Sequence, residues 1–290
     1  MYSKEDYEKI EERFIICNNT IKHVEPFLEA DITDLAFPHT GKALYKAATK
    51  IDLQLQVLFT HSRIEDFYVT QILMRTLTEH FLVAYYISIK QQVDKNDRTA
   101  QAYYETYSAS EVIKRSAYAL RVSGIVNKIT SNDSLENIIS HNPSLEGLTQ
   151  QMREKLHKES NQFEIKSILN YLLHNSQIEP ELSQVNSTMS VLLELYNETS
   201  SYIHGGALAE QEAFEFFDER LINTKQVHYY AFGMLMSFLI KEAFFFLLFQ
   251  FQPEKYFPLL KTWFEYLEKV RSIRVSDEGI WKAWQKMQRE

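Results

Sequence analysis

The chain has little glycine and proline and almost no cysteine. Its 290 residues include 7 glycines, 6 prolines and the single cysteine Cys17, whereas average usage is roughly 12% for glycine and proline together. Because these two residues form most tight turns, their scarcity favours long helices over a hairpin-rich β protein. One thiol excludes an intramolecular disulfide and a cysteine-based metal cluster, and it is typical of a cytoplasmic protein.

Several sequence signatures of function are missing. The N-terminal stretch MYSKEDYEKIEERF has no apolar segment followed by small residues, so no secretory signal is expected. No metalloprotease, P-loop, dinucleotide-binding or nucleophile-elbow motif occurs, and neither do the paired Glu-x-x-His motifs of a di-iron bundle. We therefore expect no metal ion and no other cofactor. The net charge of -8 restricts any contact with nucleic acid to a local site.

Long stretches of the chain repeat apolar residues at the 3.6-residue period of a helix, and almost none alternate like a strand. The pattern predicts an all-α protein, an antiparallel helical bundle that forms a single domain over residues 1–290. A middle insertion at about 129–178 is rich in loop residues. The predicted helices span about 3–29, 41–60, 62–92, 98–128, 180–204, 224–250, 254–272 and 276–289, with Pro253 and Pro258 separating the C-terminal helices 254–289 from the rest.

Two capping patterns and one turn signal set some of these boundaries. Ser62 and Glu65 form a capping box that opens the third helix, and Ser108 and Glu111 repeat the pattern as a restart inside the fourth. Gly41 is predicted to lie in the link before the second helix, where a turn residue is expected.

The segment 228–251 is long and apolar enough to cross a membrane. Lys241 and Glu242 lie in its middle, and each charge costs about 2.5 to 3.5 kcal/mol at a bilayer centre. We therefore predict a core helix and no membrane association. A helix that is apolar on all sides also suits an oligomer interface.

The third helix is apolar nearly all round, and Arg75, Glu79 and His80 are its polar exceptions. A buried guanidinium cannot be neutralised, so it needs a carboxylate or a bound anion. Glu79, one turn further, is the nearest carboxylate. Two interpretations stay open: an internal ion pair that fixes the helix arrangement, or an arginine that Glu79 holds toward a phosphate or carboxylate.

The stretch YNETSSYIHGGAL, residues 196–208, places Asn197, Ser200, Ser201 and His204 on one helix edge. The negative end of the helix dipole favours the protonated form of a terminal histidine, which suits anion binding. The following glycine pair is typical of a helix end. The stripe therefore marks either a functional histidine or an ordinary C-terminal cap.

Taken together, the two segments resemble the helical HEPN superfamily, in an uncharacterised bacterial branch. The first motif, R-x-L-x-E, runs from Arg75 to Glu79, and the second, Y-x-x-x-S-x-x-x-H-G, runs from Tyr196 through Ser200 to His204. The resemblance covers about residues 40–250, and the middle insertion fits least well. It implies an all-α core, frequent dimerisation and, in many members, metal-independent RNA cleavage by an R-x(4 to 6)-H motif in toxin or antiphage systems.

Two arrangements of that motif are available in this chain. Arg75 and His80 form R-x4-H, but on a continuous helix their side chains lie about 140° apart, which argues against a shared site. The stretch before His204 has Tyr196 where the family has arginine. We therefore expect Arg75 to supply the guanidinium from another helix.

The resemblance then assigns roles to the remaining polar residues. His204 would transfer protons, Arg75 would bind phosphate, and Glu79 would hold Arg75. The residues expected to orient or bind are Asn197, Ser200, Tyr202 and His80. Expected partners are a second copy of the chain or a partner protein of a defence system, together with RNA or a nucleotide. The alternative is a non-catalytic interaction, regulatory or nucleotide-binding module in which the same residues form a buried polar network.

Overall fold

The all-α prediction is confirmed for the part of the chain that can be described. Of the described residues, 93% are helical and none belongs to a strand. A computed structural model describes residues 32–60, 67–127, 147, 149–174, 192–200, 211 and 219–270.

The described ranges contain nine numbered helices and a short helical segment at residues 32–34. A π turn at Tyr103–Tyr107 and a 3-10 turn at Asn161–Phe163 lie between consecutive helices. The helices are α1 Pro38–Thr60, α2 Phe67–Asp94, α3 Arg98–Ala102, α4 Ser108–Asn127, α5 Gln150–Ser160, α6 Ile165–His174, α7 192–200, α8 Glu219–Phe251 and α9 Pro253–Val270.

Helices α1, α2 and α8 form the centre of the protein. The start of α1 meets the end of α8, where Tyr45 packs on Phe244, and the end of α1 meets the start of α8, where the Tyr230 hydroxyl donates to the Leu58 carbonyl at 3.3 Å. These two helices are therefore antiparallel. One hydrophobic cluster extends from Ile32 to Trp263 and contains residues of α1, α2, α3, α6, α7, α8 and α9.

A glycine allows α8 to lie close to α1 and α2. At Gly233 a Cβ atom would overlap the side chain of Leu55 on α1 and would lie 3.6 Å from Leu77 on α2. Leu55 and Leu77 are both completely buried. The missing side chain therefore sets the distance at which the three central helices pack.

The first turn of α1 is capped from a distant part of the chain. Both oxygens of Asp97 accept from α1, one from the His39 amide at 2.7 Å and the other from the Thr40 amide at 2.8 Å and hydroxyl at 2.6 Å. A carboxylate at this end is also favoured by the helix dipole. The cap fixes the segment after α2 against the start of α1, and sequence spacing gave no sign of it.

Three boundary predictions need correction. Gly41 lies inside α1 instead of the link before it, at a position where a Cβ would overlap the Leu35 side chain. Ser108 has helical backbone angles and directly follows the π turn, so it does not cap a new helix. Pro258 lies inside α9, near its start, instead of separating two helices. The predicted capping box at Ser62 and Glu65 falls outside the described residues.

The predicted insertion is described only in part. Within 129–178 the structure covers residue 147 and residues 149–174. There α6 buries Ile168, Leu169 and Leu172, and Tyr171 packs edge-on against Tyr86 of α2 at 5.2 Å between ring centroids. This portion contributes to the common core.

Helix α8 contains the one described segment that is long and apolar enough to cross a membrane, His228–Phe251, and 61% of its most apolar window is buried inside the protein. Length and composition do not separate a core helix from a membrane span, so the absence of a membrane stays a prediction.

A buried ion pair joins α8 to α1. Lys241 has no exposed surface and lies 2.8 Å from both carboxylate oxygens of Asp52, which is 5% exposed. The Ser237 hydroxyl donates to the same carboxylate at 2.8 Å. A charge in a low-dielectric interior requires such partners, so this cluster fixes the register of the two helices.

We expect Asp52→Ala to lower the free energy of unfolding by about 3 to 5 kcal/mol, because it leaves the Lys241 charge buried without its counter-charge. Urea unfolding followed by circular dichroism measures the change. The double variant Asp52→Leu with Lys241→Met should recover much of this loss, since no charge is then buried.

Lys155→Ala serves as the control. It removes an exposed ion pair to Glu159, which contributes about 0 to 1 kcal/mol. An Asp52→Ala variant as stable as Lys155→Ala would contradict the assigned role of the buried pair.

Candidate functional site

The structure describes five of the seven residues assigned to a site from the sequence. Arg75, Glu79 and His80 lie on α2, and Asn197 and Ser200 lie on α7. His204 and Tyr202 fall outside the described residues.

Arg75 joins α2 to α7. Its Nε donates to Glu79 Oε1 at 2.8 Å, and its Nη1 donates to the backbone carbonyl of Tyr196 at 2.8 Å. The Arg75 Cζ atom also lies 3.1 Å from the centroid of the Tyr196 ring, so the guanidinium stacks on that ring. The first residue of the R-x-L-x-E motif, Arg75, is therefore in direct contact with the first residue of the second motif, Tyr196.

The protein holds the guanidinium from two directions. Arginine carries five N–H donors, and Glu79 and the Tyr196 carbonyl accept from Nε and Nη1. The Tyr196 hydroxyl is a further hydrogen-bonding neighbour of Arg75. The Arg75 side chain is 10% exposed, so only a small part of it is accessible to an external anion.

Glu79 is less enclosed than Arg75. Its side chain is 40% exposed, whereas that of Arg75 is 10% exposed. The cause is position: Arg75 lies under α7, while Glu79 lies one turn further along α2 and reaches solvent. The Tyr196 hydroxyl also donates to Glu79 Oε1, at a long 3.4 Å.

Tyrosines surround Glu79. Burial raises the pKa of Tyr196, and Glu79 adds to the rise while Arg75 opposes it. Burial and then the charge of Glu111 raise the pKa of Tyr107 to about 12, with a smaller contribution from Glu79. Both phenols therefore stay protonated at neutral pH, and the Tyr196 hydroxyl is the one that donates to Glu79.

A second polar network lies one turn before Arg75 on α2, and sequence reasoning missed it. Gln71 is completely buried and donates through Nε2 to the Tyr229 hydroxyl at 2.6 Å. That hydroxyl donates to Glu198 Oε1 at 3.3 Å, and Lys225 forms an ion pair with the same oxygen. The available signal was the four-residue spacing of Gln71, Arg75 and Glu79, which places three polar groups on one helix edge.

His80 lies in different surroundings from Arg75. Burial and the positive charge of Lys50 on α1 lower the pKa of His80, and Glu79 opposes them. Arg75 instead contacts α7. Since these neighbours belong to different helices, the structure does not bring the R-x4-H pair into one hydrogen-bonded unit.

The two candidate site residues on α7, Asn197 and Ser200, do not take part in the contact with Arg75. Asn197 is exposed and Ser200 is half-buried, and neither side chain forms a hydrogen bond with Arg75 or Glu79. Instead, Thr199 is completely buried and donates to the Leu195 carbonyl at 2.8 Å.

Among the described residues, no group of three or more His, Cys, Asp and Glu side chains could hold a metal ion.

We expect Arg75→Ala to lower the free energy of unfolding by about 1 to 3 kcal/mol, because it removes the charge-assisted bond that connects α2 to α7. Glu79→Gln keeps an oxygen for Arg75 Nε and changes an exposed group, so its effect should stay within about 1 kcal/mol. Urea unfolding of both variants measures the difference. Equal effects would show that the Tyr196 contact contributes no stability.

The stability of the protein should depend on His80 below pH 6.5. The pKa of His80 is lowered in the folded state, so the unfolded chain binds the proton first as the pH falls from the ordinary value of 6.5. Protonation therefore favours unfolding in this range and has no effect above it. We expect His80→Gln to lose less stability than the parent on acidification. Urea midpoints on both sides of pH 6.5 test this, and parallel losses would contradict it.

Comparison with known proteins adds no relative. No family model, no curated protein and no solved structure matches this chain. The resemblance to HEPN proteins therefore rests on the two motifs alone.

Proposed function

We propose that this chain is a HEPN-like bacterial protein of a toxin or antiphage system and that it cleaves RNA without a metal ion. The observation that supports this proposal is the hydrogen bond from Arg75 Nη1 to the Tyr196 carbonyl. Tyr196 occupies the place where the family motif has arginine. Arg75 therefore brings a guanidinium to that place from α2.

Arg75 is the phosphate-binding group in this proposal. Glu79 and the Tyr196 carbonyl hold Nε and Nη1, so the Nη2 edge has a fixed direction and little freedom to lose on binding. A phosphate oxygen accepts from this edge, and its charge is stabilised most when the phosphorus becomes pentacoordinate.

His204 transfers the proton. It follows Tyr196 by eight residues in the sequence. The ribose 2′-oxygen attacks the adjacent phosphorus, loses its proton, and displaces the 5′-oxygen of the next nucleotide, which gains a proton. His204 serves one of these two transfers, because a neutral-range pKa is needed for either. Asn197, Ser200, Tyr202 and His80 orient the imidazole or contact the RNA.

A second candidate is a non-catalytic interaction, regulatory or nucleotide-binding module. The observation in its favour is that Arg75 is only 8% exposed and already has two protein partners. In this alternative Arg75 fixes α7 on α2, and any partner protein, second copy or nucleotide binds nearby without being cut. Both proposals place the protein in the cytoplasm.

The two candidates differ in what His204→Ala does. We expect the parent to cleave a fluorescently labelled single-stranded RNA in the presence of EDTA, and His204→Ala to reduce the rate by about 100-fold or more. His157→Ala removes an exposed histidine on α5 and should cleave like the parent. Circular dichroism verifies that each variant is folded.

Two results would overturn the nuclease proposal. One is an intact RNA after incubation with the folded parent, and the other is a His204→Ala rate equal to that of the parent. Arg75→Lys adds a further arm, because lysine keeps the charge but loses the fixed fork. A stable Arg75→Lys variant that cleaves slowly supports phosphate binding, while one that cleaves normally supports the structural role of Arg75.

A further inference from the structure

The solvent face of α1 carries charge of one sign. Lys42, Lys46 and Lys50 are all exposed, while the acidic residue of the same helix, Asp52, is buried against Lys241. We call Lys42, Lys46 and Lys50 the lysine row. Their four-residue spacing places successive Cα atoms about 6 Å apart along the helix, so the row is about 12 Å long. This local excess is unexpected in a chain with a net charge of -8.

One aromatic ring positions two of these charges. The Lys42 and Lys46 ammonium nitrogens lie 5.1 Å and 5.5 Å from the centroid of Tyr104, and the His39 ring centre is 6.5 Å from it. Burial raises the pKa of Tyr104, so its ring stays neutral. Two ammonium groups on one ring repel each other, and an anion between them relieves that repulsion.

The row has no carboxylate of its own among the described residues. Lys42, Lys46 and Lys50 form no ion pair there, although exposed lysines elsewhere do, such as Lys155 with Glu159. Both oxygens of Asp97 accept from His39 and Thr40 at the start of α1. Within the described ranges, no carboxylate therefore neutralises the lysine row.

The far end of the row lies near α2. Lys50 lies close enough to His80 on α2 for its charge to lower the pKa of that histidine. Arg75 contacts α7 instead. The row therefore extends from Tyr104 along α1 to the side of α2 that carries His80.

We propose that the lysine row binds the phosphate backbone of single-stranded RNA. The choice of RNA rests on the proposed function. The row of positive charges about one helical turn apart suits consecutive phosphates of an extended strand, and Tyr104 anchors the ammonium groups at its start. The surface therefore provides the local basic site that an acidic protein needs for RNA.

An anionic membrane fits the same charges less well. Binding in a membrane interface requires an apolar helix face next to the basic residues. The apolar face of α1 is instead buried in the protein core, through Ala43, Leu44, Ala47, Ala48 and Ile51. Only Leu53 and Val57 remain as exposed apolar residues of α1, beyond the end of the row.

The test compares two triple variants of the full chain. Lys42→Gln, Lys46→Gln and Lys50→Gln together remove the row, while Lys155→Gln, Lys158→Gln and Lys166→Gln remove three exposed lysines from α5 and α6. Both lower the net charge equally. The probe is a fluorescent 2′-O-methyl oligouridine, which cannot be cleaved through its 2′-oxygen, and the readout is fluorescence anisotropy over a series of salt concentrations.

We expect the row variant to bind more weakly than the parent and to lower the slope of log Kd against log salt by about 2, since each contact with a single strand contributes about 0.7. The α5–α6 variant should keep the slope of the parent. Equal losses in both variants, an unchanged row variant, or a parent that binds vesicles of anionic lipid but not the oligonucleotide would each overturn the proposal.

This outcome is separable from that of the proposed function. If the parent binds the probe through the row but cleaves no RNA, the proposal for the lysine row is supported and the nuclease proposal is contradicted. If the parent cleaves RNA but its affinity for the probe does not depend on the row, the nuclease proposal is supported and the proposal for the lysine row is contradicted.

Discussion

Lys241 has no access to solvent, and its charge requires α8 to meet Asp52 of α1 in one register. The pair, with Ser237 as a third member, lies where the two helices run antiparallel. Apolar packing alone tolerates sliding between helices, whereas a buried charge separated from its counter-charge is strongly unfavourable. The missing Gly233 side chain sets how closely the same helices approach. The rest of the fold is arranged around this pair of helices.

With α1 and α8 fixed, α2 presents its polar edge to α7. Gln71 and Arg75 then meet Tyr229 and Tyr196 on helices that follow more than a hundred residues later. The same geometry explains why Glu79 and Arg75 differ in burial although they form one ion pair. A helix turn of about 5.4 Å moves the carboxylate from beneath α7 to the protein surface. The Arg75 guanidinium is thus held from two sides, by Glu79 and by Tyr196.

The outward direction of the lysine row is a consequence of the same packing. Because α1 buries one face against α2 and α8, its remaining face reaches solvent, and that face carries lysines. The Asp97 cap and the Tyr104 ring then place the start of α1 against the segment after α2. A structural cap and a charged surface therefore share one junction.

The sequence by itself determined the helical class, the approximate extent of the main helices and the candidacy of Arg75 and Glu79. The period of the apolar residues and the scarcity of glycine and proline are local properties of the sequence, so they can be recognised without knowledge of the fold. Tertiary structure decided which helices meet: the Asp97 cap on α1, the Asp52 partner of Lys241, and the Tyr196 partner of Arg75. These contacts join residues 57 to 189 positions apart, and periodicity within one helix contains no information about its partner. Gly41 and Pro258 were misjudged for the same reason, because packing around a helix start overrides the turn preference of a single residue.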